Sequence, residues 1–203
     1  MAASGSLLLS TRNAHKVREF NRLLAAGGRG SITVEPLPDW VTLPPEDGDT
    51  FADNALPKAR AAAQATGRVA IADDSGIEAA ALDGRPGVRS ARYAGPDATD
   101  AENLAKLMAE APAGSALRYV CALAYVDPAS GTERVFFGYC TGRLSDEARG
   151  SRGFGYDPAF LPDDGPDGLT MAELSDEQKD AISHRGRAAR ALLRWLSQGP
   201  SGA

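Results

Sequence analysis

The stretch Ala70-Ile71-Ala72-Asp73-Asp74-Ser75-Gly76 combines a predicted strand with two adjacent carboxylates. The apolar run from Val69 to Ala72 predicts a buried strand that ends at Asp73 and Asp74. Because neighbouring residues of a strand point to opposite faces, the two carboxylates should have different roles. One could face a metal site while the other braces the turn. Alternatively the pair is only solvated, since Asp, Ser and Gly are ordinary turn residues.

Length and composition predict one globular domain, or one domain with a lobe. The chain has 203 residues, of which 43% are hydrophobic and 24% charged, and this is enough to bury a sizeable core. The net charge of −5 argues against broad binding to nucleic acid or a membrane surface, since phosphate backbones are held by basic surfaces. A single small phosphorylated ligand needs only a local basic pocket and remains compatible.

The termini and the cysteines indicate a cytoplasmic protein. Neither a signal peptide nor a membrane span is predicted, and residues 1–5 and 198–203 are expected to be loose ends. Cys121 and Cys140 lie in predicted strands without ligand-like spacing. They are expected to be buried, reduced thiols.

A first group of polar residues follows the predicted strand Ser6 to Ser10. Thr11, Asn13 and Lys16 lie where this strand turns into an amphipathic helix, and a helix amino terminus is a natural anion site. A hydroxyl, an amide and an ammonium would suit phosphate oxygens. The alternative is an ordinary helix cap with a surface lysine. The glycines of a P-loop are absent from this segment.

A second acidic segment, Glu46-Asp47-Gly48-Asp49, lies in an irregular, proline-rich region after the predicted strand Ile32 to Leu37. It is either a solvated turn or the source of one carboxylate that reaches towards Asp74 as a metal ligand. Mg²⁺ is usually bound by one or two carboxylates together with substrate phosphates, so one contribution would suffice.

The Ala-rich segment from Thr50 to Thr66 predicts a helix with Thr50 and Asp53 as a capping pair. Pro57 lacks an N–H and disfavours helix at the preceding residue. It therefore predicts that the helix either starts near Asn54 or kinks. Lys58 on such a helix, taken alone, fits an ordinary surface lysine.

The second half of the chain predicts a helix and a hairpin. Thr99 caps a helix from Asp100 to Glu110, and the β-rich runs Leu117 to Val126 and Arg134 to Thr141 are joined by a turn. Together with the helix-rich first half, this hairpin indicates a mixed sheet with helices packed on it.

The Gly-rich segment from Gly150 to Pro158 carries two aromatic residues, Phe154 and Tyr156. Glycines let the backbone approach a ligand closely, and an aromatic residue on such a loop can stack on a nucleobase. The alternative is a flexible connector whose aromatic side chains fill the nearby core.

Ser175 and Gln178 predict the start of a last helix that carries Lys179, Ser183, His184 and Arg185. Donors clustered in this way could read a purine carbonyl. A surface helix explains them almost as well.

Four blocks of the sequence resemble the inosine/xanthosine triphosphate pyrophosphatases, a family that hydrolyses aberrant purine nucleoside triphosphates. The blocks come in the family's order and cover most of the chain: Ser10–Lys16, Thr50–Ala55 with Lys58 and Ala59, Asp73–Gly95, and Gly153–Pro158 followed by Lys179 and Ile182–Gly186. The resemblance implies a single nucleoside triphosphate pyrophosphatase domain over residues 1–203. It also implies an α/β fold with an elongated mixed β-sheet, flanking helices and two lobes around a central cleft.

The resemblance further implies a homodimer that uses Mg²⁺, acts on small-molecule purine nucleoside triphosphates and binds neither nucleic acid nor membranes. Asp74 would be the catalytic carboxylate and, with Glu46, a metal ligand. The residues implied in substrate binding are Thr11, Arg12, Asn13, Ala14, His15, Lys16, Lys58, Ser75, Phe154, Gly155, Tyr156, Asp157, Lys179, His184 and Arg185. A non-catalytic nucleotide-binding regulator and a metal-dependent phosphatase of another class are the alternatives.

Overall fold

A six-stranded mixed sheet with flanking helices forms the fold. The computed structural model describes residues 5–25 and 32–199. The strand order is β2-β1-β3-β4-β5-β6, with β1 parallel to β2 and β3, and β5 antiparallel to β6. The strands are β1 Ser6–Leu9, β2 Thr33–Pro36, β3 Ala70–Ala79, β4 Ala116–Asp127, β5 Thr132–Leu144 and β6 Phe160–Pro162. This arrangement confirms the predicted α/β class and the mixed sheet.

Five α-helices are present in the described residues. They are α1 Ala14–Ala25, α2 Phe51–Thr66, α3 Asp100–Glu110, α4 Asp176–Ile182 and α5 His184–Gln198. The α3 helix has the predicted capping box, in which Thr99 Oγ1 accepts a hydrogen bond from the Glu102 backbone N–H at 3.2 Å. The predicted loop from Gly27 to Ser31 and most of the predicted loose ends lie outside the described residues.

The chain divides into two compact units. Unit 1 comprises residues up to 74, 121–138 and from 185 onward, and unit 2 comprises residues 75–120 and 139–184. Each has a hydrophobic core. Large buried members of the unit 1 core are Phe20, Leu24, Ile71, Leu123 and Leu192. Their counterparts in unit 2 are Ile77, Leu107, Tyr119, Phe160 and Met171.

The predicted end of β3 at the two aspartates is wrong. The strand continues through Asp73, Asp74, Ser75 and Gly76 to Ala79. Both aspartates are buried beside cationic side chains that balance their charges, so the charges do not interrupt the strand. The solvated-turn alternative is therefore also wrong.

The α2 helix begins at Phe51 and not near Asn54. Thr50 Oγ1 accepts from the Asp53 backbone N–H at 3.1 Å, as the predicted capping pair requires, and Pro57 lies inside the helix. The cap satisfies the first turn, and this fixes the start of the helix three residues before the position that Pro57 suggested.

The single last helix predicted from Ser175 onward is also wrong. The α4 helix ends at Ile182, and Ser183 adopts an extended backbone with φ −64° and ψ 154° before α5 begins at His184. Lys179 and His184 therefore lie on different helices.

The prediction for the two cysteines is confirmed. Both cysteines are buried thiols. Among the described residues, no helix combines the length and the apolar character needed to cross a membrane.

Candidate functional site

Asp74 lies at the centre of a polar cluster in unit 1. The Asn54 side-chain amide donates to Asp74 Oδ2 at 3.1 Å, and Lys58 Nζ lies 3.6 Å from Asp74 Oδ1. The same ammonium lies 2.5 Å from Glu46 Oε1 and donates to the Asp73 carbonyl oxygen at 3.0 Å. Glu46 and Asp74, which are 28 residues apart in sequence, thus converge on one cation.

Burial gives the groups of this cluster unusual protonation behaviour. It raises the pKa of Asp74, and the attraction of Lys58 and Lys16 only partly offsets this effect. Burial alone would lower the pKa of Lys58, but Asp74 and Glu46 outweigh it and the pKa is raised. The cluster therefore combines a carboxylate of increased basicity with a lysine that stays protonated.

The two carboxylates of the cluster fit a magnesium ion whose coordination is completed by substrate phosphates. The described part of the chain contains no group of three or more His, Cys, Asp or Glu side chains that could hold a metal. Mg²⁺ is commonly bound by one or two carboxylates, with substrate phosphates and waters completing its coordination. Glu46, whose side chain is 38% exposed, and Asp74 would supply those two carboxylates, and their role as metal ligands stays a prediction.

Asp73 is the centre of a separate buried network in unit 1. Its Oδ2 lies 2.7 Å from Lys16 Nζ and 3.4 Å from Arg185 Nε, and its Oδ1 accepts a hydrogen bond from the Cys121 thiol at 3.1 Å. Arg185 Nη1 also lies 3.2 Å from Glu19 Oε2. Burial alone would raise the pKa of Asp73, but Lys16 and Arg185 outweigh it and hold the pKa well below its usual value. Asp73 is thus a charged anchor for two cations.

The junction between β1 and α1 has the geometry of a helix cap. Asn13 Oδ1 accepts from the backbone N–H groups of His15 at 2.9 Å and Lys16 at 3.3 Å. Thr11 Oγ1 accepts from the Asn13 backbone N–H at 3.1 Å, and Ala14 is the first helical residue. The segment therefore forms a helix cap, as the alternative predicted. Lys16 is not an ordinary surface lysine, however, because it forms an ion pair with Asp73.

Arg12 and His15, which lie in the same segment, make local contacts. The Arg12 guanidinium donates to backbone carbonyls of the segment 37–41 and forms an ion pair with Asp39 at 3.2 Å. The His15 Nδ1 atom lies 3.0 Å from Arg18 Nη2. Arg12 thus holds the segment 37–41 in place, and its contact with substrate stays a prediction.

Asp157 is the centre of a buried hydrogen-bond network in unit 2, as Asp73 is in unit 1. Its Oδ2 accepts from Lys179 Nζ at 2.7 Å and from the Phe154 backbone N–H at 2.9 Å, and its Oδ1 accepts from the Tyr119 hydroxyl at 3.1 Å. The Tyr119 ring stacks on the His184 ring with a centroid distance of 4.5 Å and an interplanar angle of 6°. Tyr119 therefore connects four of the predicted substrate-binding residues, which are Phe154, Asp157, Lys179 and His184. Phe154 takes part through its backbone N–H.

The aromatic loop is held within unit 2 by two further contacts. The Gly155 backbone N–H donates to Asp100 Oδ2 at 2.8 Å, and the Tyr156 hydroxyl donates to the Ser90 carbonyl oxygen at 2.7 Å. Tyr156 is part of the unit 2 core, as the core-filling alternative predicted, whereas Phe154 is half-buried with its ring centroid 5.3 Å from Lys179 Nζ. Of the two aromatic residues, Phe154 is therefore the more exposed, and its contact with a ligand stays a prediction.

The predicted donors of the last helix are divided between the units. Lys179 and His184 belong to unit 2, but Arg185 belongs to unit 1, where its guanidinium contacts Asp73 and Glu19. Ser75 is a half-buried residue of β3 in unit 2.

Several residues that support the site were not predicted from the sequence. Asn54 is part of one of the four matched blocks and marks one possible helix start, but its contact with Asp74 is not predicted. Tyr119 was assigned only to a strand, and Asp100 only to the start of a helix. The sequence held one usable signal, a tyrosine within the buried β4 strand, because a buried hydroxyl usually needs a hydrogen-bond partner.

Comparisons with known proteins identify the family of the chain. The model of the Ham1 family matches residues 7–195. A dITP/XTP pyrophosphatase of Cutibacterium acnes is 45% identical over 198 residues, covering 92% of this chain and 94% of that protein. Another, from Symbiobacterium thermophilum, is 49% identical over 191 residues, which are 93% of each chain.

Solved structures show the same likeness. The structure of a HAM1 protein from Coxiella burnetii matches with a TM-score of 0.81 at 36% identity, covering 96% of this chain and 99% of that one. A family match over nearly the whole chain and relatives of 45% and 49% identity agree with the four blocks of sequence resemblance. The chain belongs to the Ham1 family.

Proposed function

We propose that this chain hydrolyses dITP, ITP and XTP to the nucleoside monophosphate and pyrophosphate, and so removes aberrant purine nucleotides from the pool. The observation that carries the proposal is the buried Asp74, whose raised pKa accompanies direct contacts with Asn54 and Lys58. The relatives named dITP/XTP pyrophosphatase support the choice of substrate.

The unit 1 residues would act on the triphosphate. Asp74 would accept the proton of a water that attacks the α-phosphorus, because its raised pKa makes it the more basic of the two adjacent aspartates. Asn54 would hold one carboxylate oxygen in place, while Lys58 and Lys16 would stabilise negative charge on the phosphates. Mg²⁺, held by Glu46 and Asp74, would supply neutralisation of the triphosphate.

The unit 2 residues would select the base. Hypoxanthine and xanthine carry an oxygen at C6, where adenine carries an amino donor. Lys179 would donate to that oxygen and would face the amino group of adenine without an acceptor, so adenine would be disfavoured. His184, with its ring held by Tyr119, would line the same pocket, and Phe154 would stack on the purine.

The assay that tests this proposal measures pyrophosphate and orthophosphate separately during incubation with dITP and Mg²⁺. We expect pyrophosphate from the native protein and a loss of at least about 100-fold in kcat for Asp74→Asn. The matched control is Asp163→Asn, which changes a half-exposed aspartate whose ion-pair distance to Arg143 is 3.9 Å. Near-normal turnover by Asp74→Asn would remove Asp74 from its role.

The same assay separates the alternatives. Orthophosphate as the only product would indicate a phosphatase of another class. Tight binding of dITP without release of either product would indicate a non-catalytic regulator.

The proposal includes a cytoplasmic homodimer, as the family resemblance implies. Two aromatic residues on β5, Phe137 and Tyr139, are 46% and 43% exposed, and exposed aromatic residues are enriched in protein interfaces. Sedimentation velocity should give twice the mass of the 21.2 kDa chain. A monomer at micromolar concentration would contradict this part of the proposal.

A further inference from the structure

We propose that Tyr119 is a positioning residue for purine recognition, and that its hydroxyl fixes the lysine that discriminates 6-oxopurines from adenine. The inference rests on the proposed function and goes further by naming a residue of β4 that the sequence pattern did not mark as functional. Tyr119 is 6% exposed. Its two ends contact two different parts of the candidate base pocket.

The hydroxyl end acts through Asp157. This carboxylate has three donors: the Tyr119 hydroxyl on Oδ1, and Lys179 Nζ and the Phe154 backbone N–H on Oδ2. A carboxylate bound on both oxygens cannot rotate without losing a hydrogen bond, so the Tyr119 bond fixes the orientation in which Oδ2 holds Lys179. Asp157 and Lys179 are both buried, which makes that orientation costly to change.

The ring end acts on His184. The two rings are nearly parallel, with centroids 4.5 Å apart, and His184 is 2% exposed. Because α5 begins at His184, the ring of Tyr119 also fixes the side chain at the start of this helix. One tyrosine thus contacts His184 directly and Lys179 through Asp157, the two residues proposed to donate to the base and to line its pocket.

The space around Asp157 supports a role in fine positioning. A Cβ atom at Gly153, where φ is +73°, would lie 2.1 Å from Asp157 Oδ2 and 3.1 Å from Lys179 Nζ. Only glycine leaves room there for the pair. The backbone at Gly153 therefore packs against Asp157 Oδ2, and the Tyr119 hydroxyl contacts Asp157 Oδ1. The carboxylate is confined at both of its oxygens.

The test is Tyr119→Phe, which removes the hydroxyl and keeps the ring that stacks on His184. We expect KM for dITP to rise about tenfold, as for a lost hydrogen bond to a charged group, with kcat changed less than about threefold. The ratio of kcat/KM for dITP to that for dATP should fall by a similar factor. Loss of packing alone would not move this ratio, because it would affect both nucleotides equally.

The matched control is Tyr125→Phe in the same strand. Tyr125 lies in unit 1, where its ring packs edge-on against Trp195 at 5.0 Å. This variant should keep the native ratio. A second test variant, Asp157→Asn, keeps an acceptor for the Tyr119 hydroxyl but removes the charge that holds Lys179, and it should lower the ratio even if Tyr119→Phe folds poorly.

Calorimetric binding of dITP and dATP without Mg²⁺ separates this inference from the proposed activity. A native protein that binds dITP more tightly than dATP but releases no pyrophosphate would contradict the activity, while a preference abolished by Tyr119→Phe would still support the role of Tyr119. An unchanged preference in folded Tyr119→Phe would overturn the inference, and if that variant does not fold, an unchanged preference in Asp157→Asn would overturn it, whether or not the protein is active.

Discussion

The substitution Asp73→Asn is expected to destabilise unit 1 strongly, because it removes one buried negative charge and almost no volume. Asp73 is fully buried and lies within 3.4 Å of cationic atoms of Lys16 and Arg185, and Arg185 also pairs with Glu19. The native network therefore contains two positive and two negative side chains. The variant leaves two cations with one carboxylate.

The magnitude follows from the burial of the network. Removing one partner of a buried ion pair costs about 3–5 kcal/mol, because the remaining charge stays in a medium of low polarity. Folded domains are stable by only about 5–15 kcal/mol, so the expected loss is roughly a third of the total. Most of the variant should still be folded at room temperature, which makes the loss measurable.

Tryptophan fluorescence during urea unfolding measures this loss within the relevant unit. Trp40 and Trp195 are the two tryptophans of the chain, and both belong to unit 1. Trp195 packs against Tyr125 and Phe136, so its emission should change when the unit 1 core opens. The midpoint and the slope together give the free energy of unfolding.

The control is Glu133→Gln, which makes the same change of charge in a partly exposed pair. Arg60 and Glu133 are 2.6 Å apart with side chains 46% and 36% exposed, and such pairs contribute at most about 1 kcal/mol. A similar midpoint for both variants would refute the reasoning, since it would mean that burial does not make the Asp73 network costly to break.

Three other outcomes are expected. Gly153→Ala should abolish most binding of dITP at moderate cost to stability, because the new Cβ atom would lie 2.1 Å from Asp157 Oδ2. Calorimetry measures the affinity for dITP, and an affinity equal to that of the native protein would contradict the prediction. Asn54→Ala should lower kcat for dITP about tenfold by releasing Asp74, with the urea midpoint as the check on folding; an unchanged kcat would refute the holding role of the amide. Thr99→Ala should cost about 1 kcal/mol in thermal or urea unfolding without changing activity, because it removes the cap of α3; a change in kcat would show that α3 has more than a structural role.

The local elements of this fold could be predicted because their signals lie within a few residues. Thr99 and Glu102 form the capping box that their spacing indicates. The alternation of Asp73 and Asp74 predicts two roles; the two carboxylates have different partners, and the roles themselves stay a prediction. The cap of α2 at Thr50 was also visible, but Pro57 suggested a later start. Here the capping contact prevailed over the local preference of proline.

The long-range contacts could not be predicted in the same way. The continuation of β3 past two carboxylates depends on Lys16, Lys58 and Arg185, which come from three other segments of the chain. No pattern within the strand reports those partners. The extended backbone of Ser183 likewise follows no turn signal in the sequence.

The two adjacent aspartates show how one strand supplies two kinds of carboxylate. Asp73 is paired with cations strongly enough that its pKa is lowered despite complete burial, whereas Asp74 is paired less closely and its pKa is raised. A group with a lowered pKa holds its charge and suits an anchoring role, and a group with a raised pKa suits proton transfer. In unit 2, Asp157 accepts hydrogen bonds on both carboxylate oxygens, and in this geometry it holds its donors in place as Asp73 does. Of the two adjacent aspartates, Asp74 is therefore the one whose surroundings favour proton acceptance over anchoring.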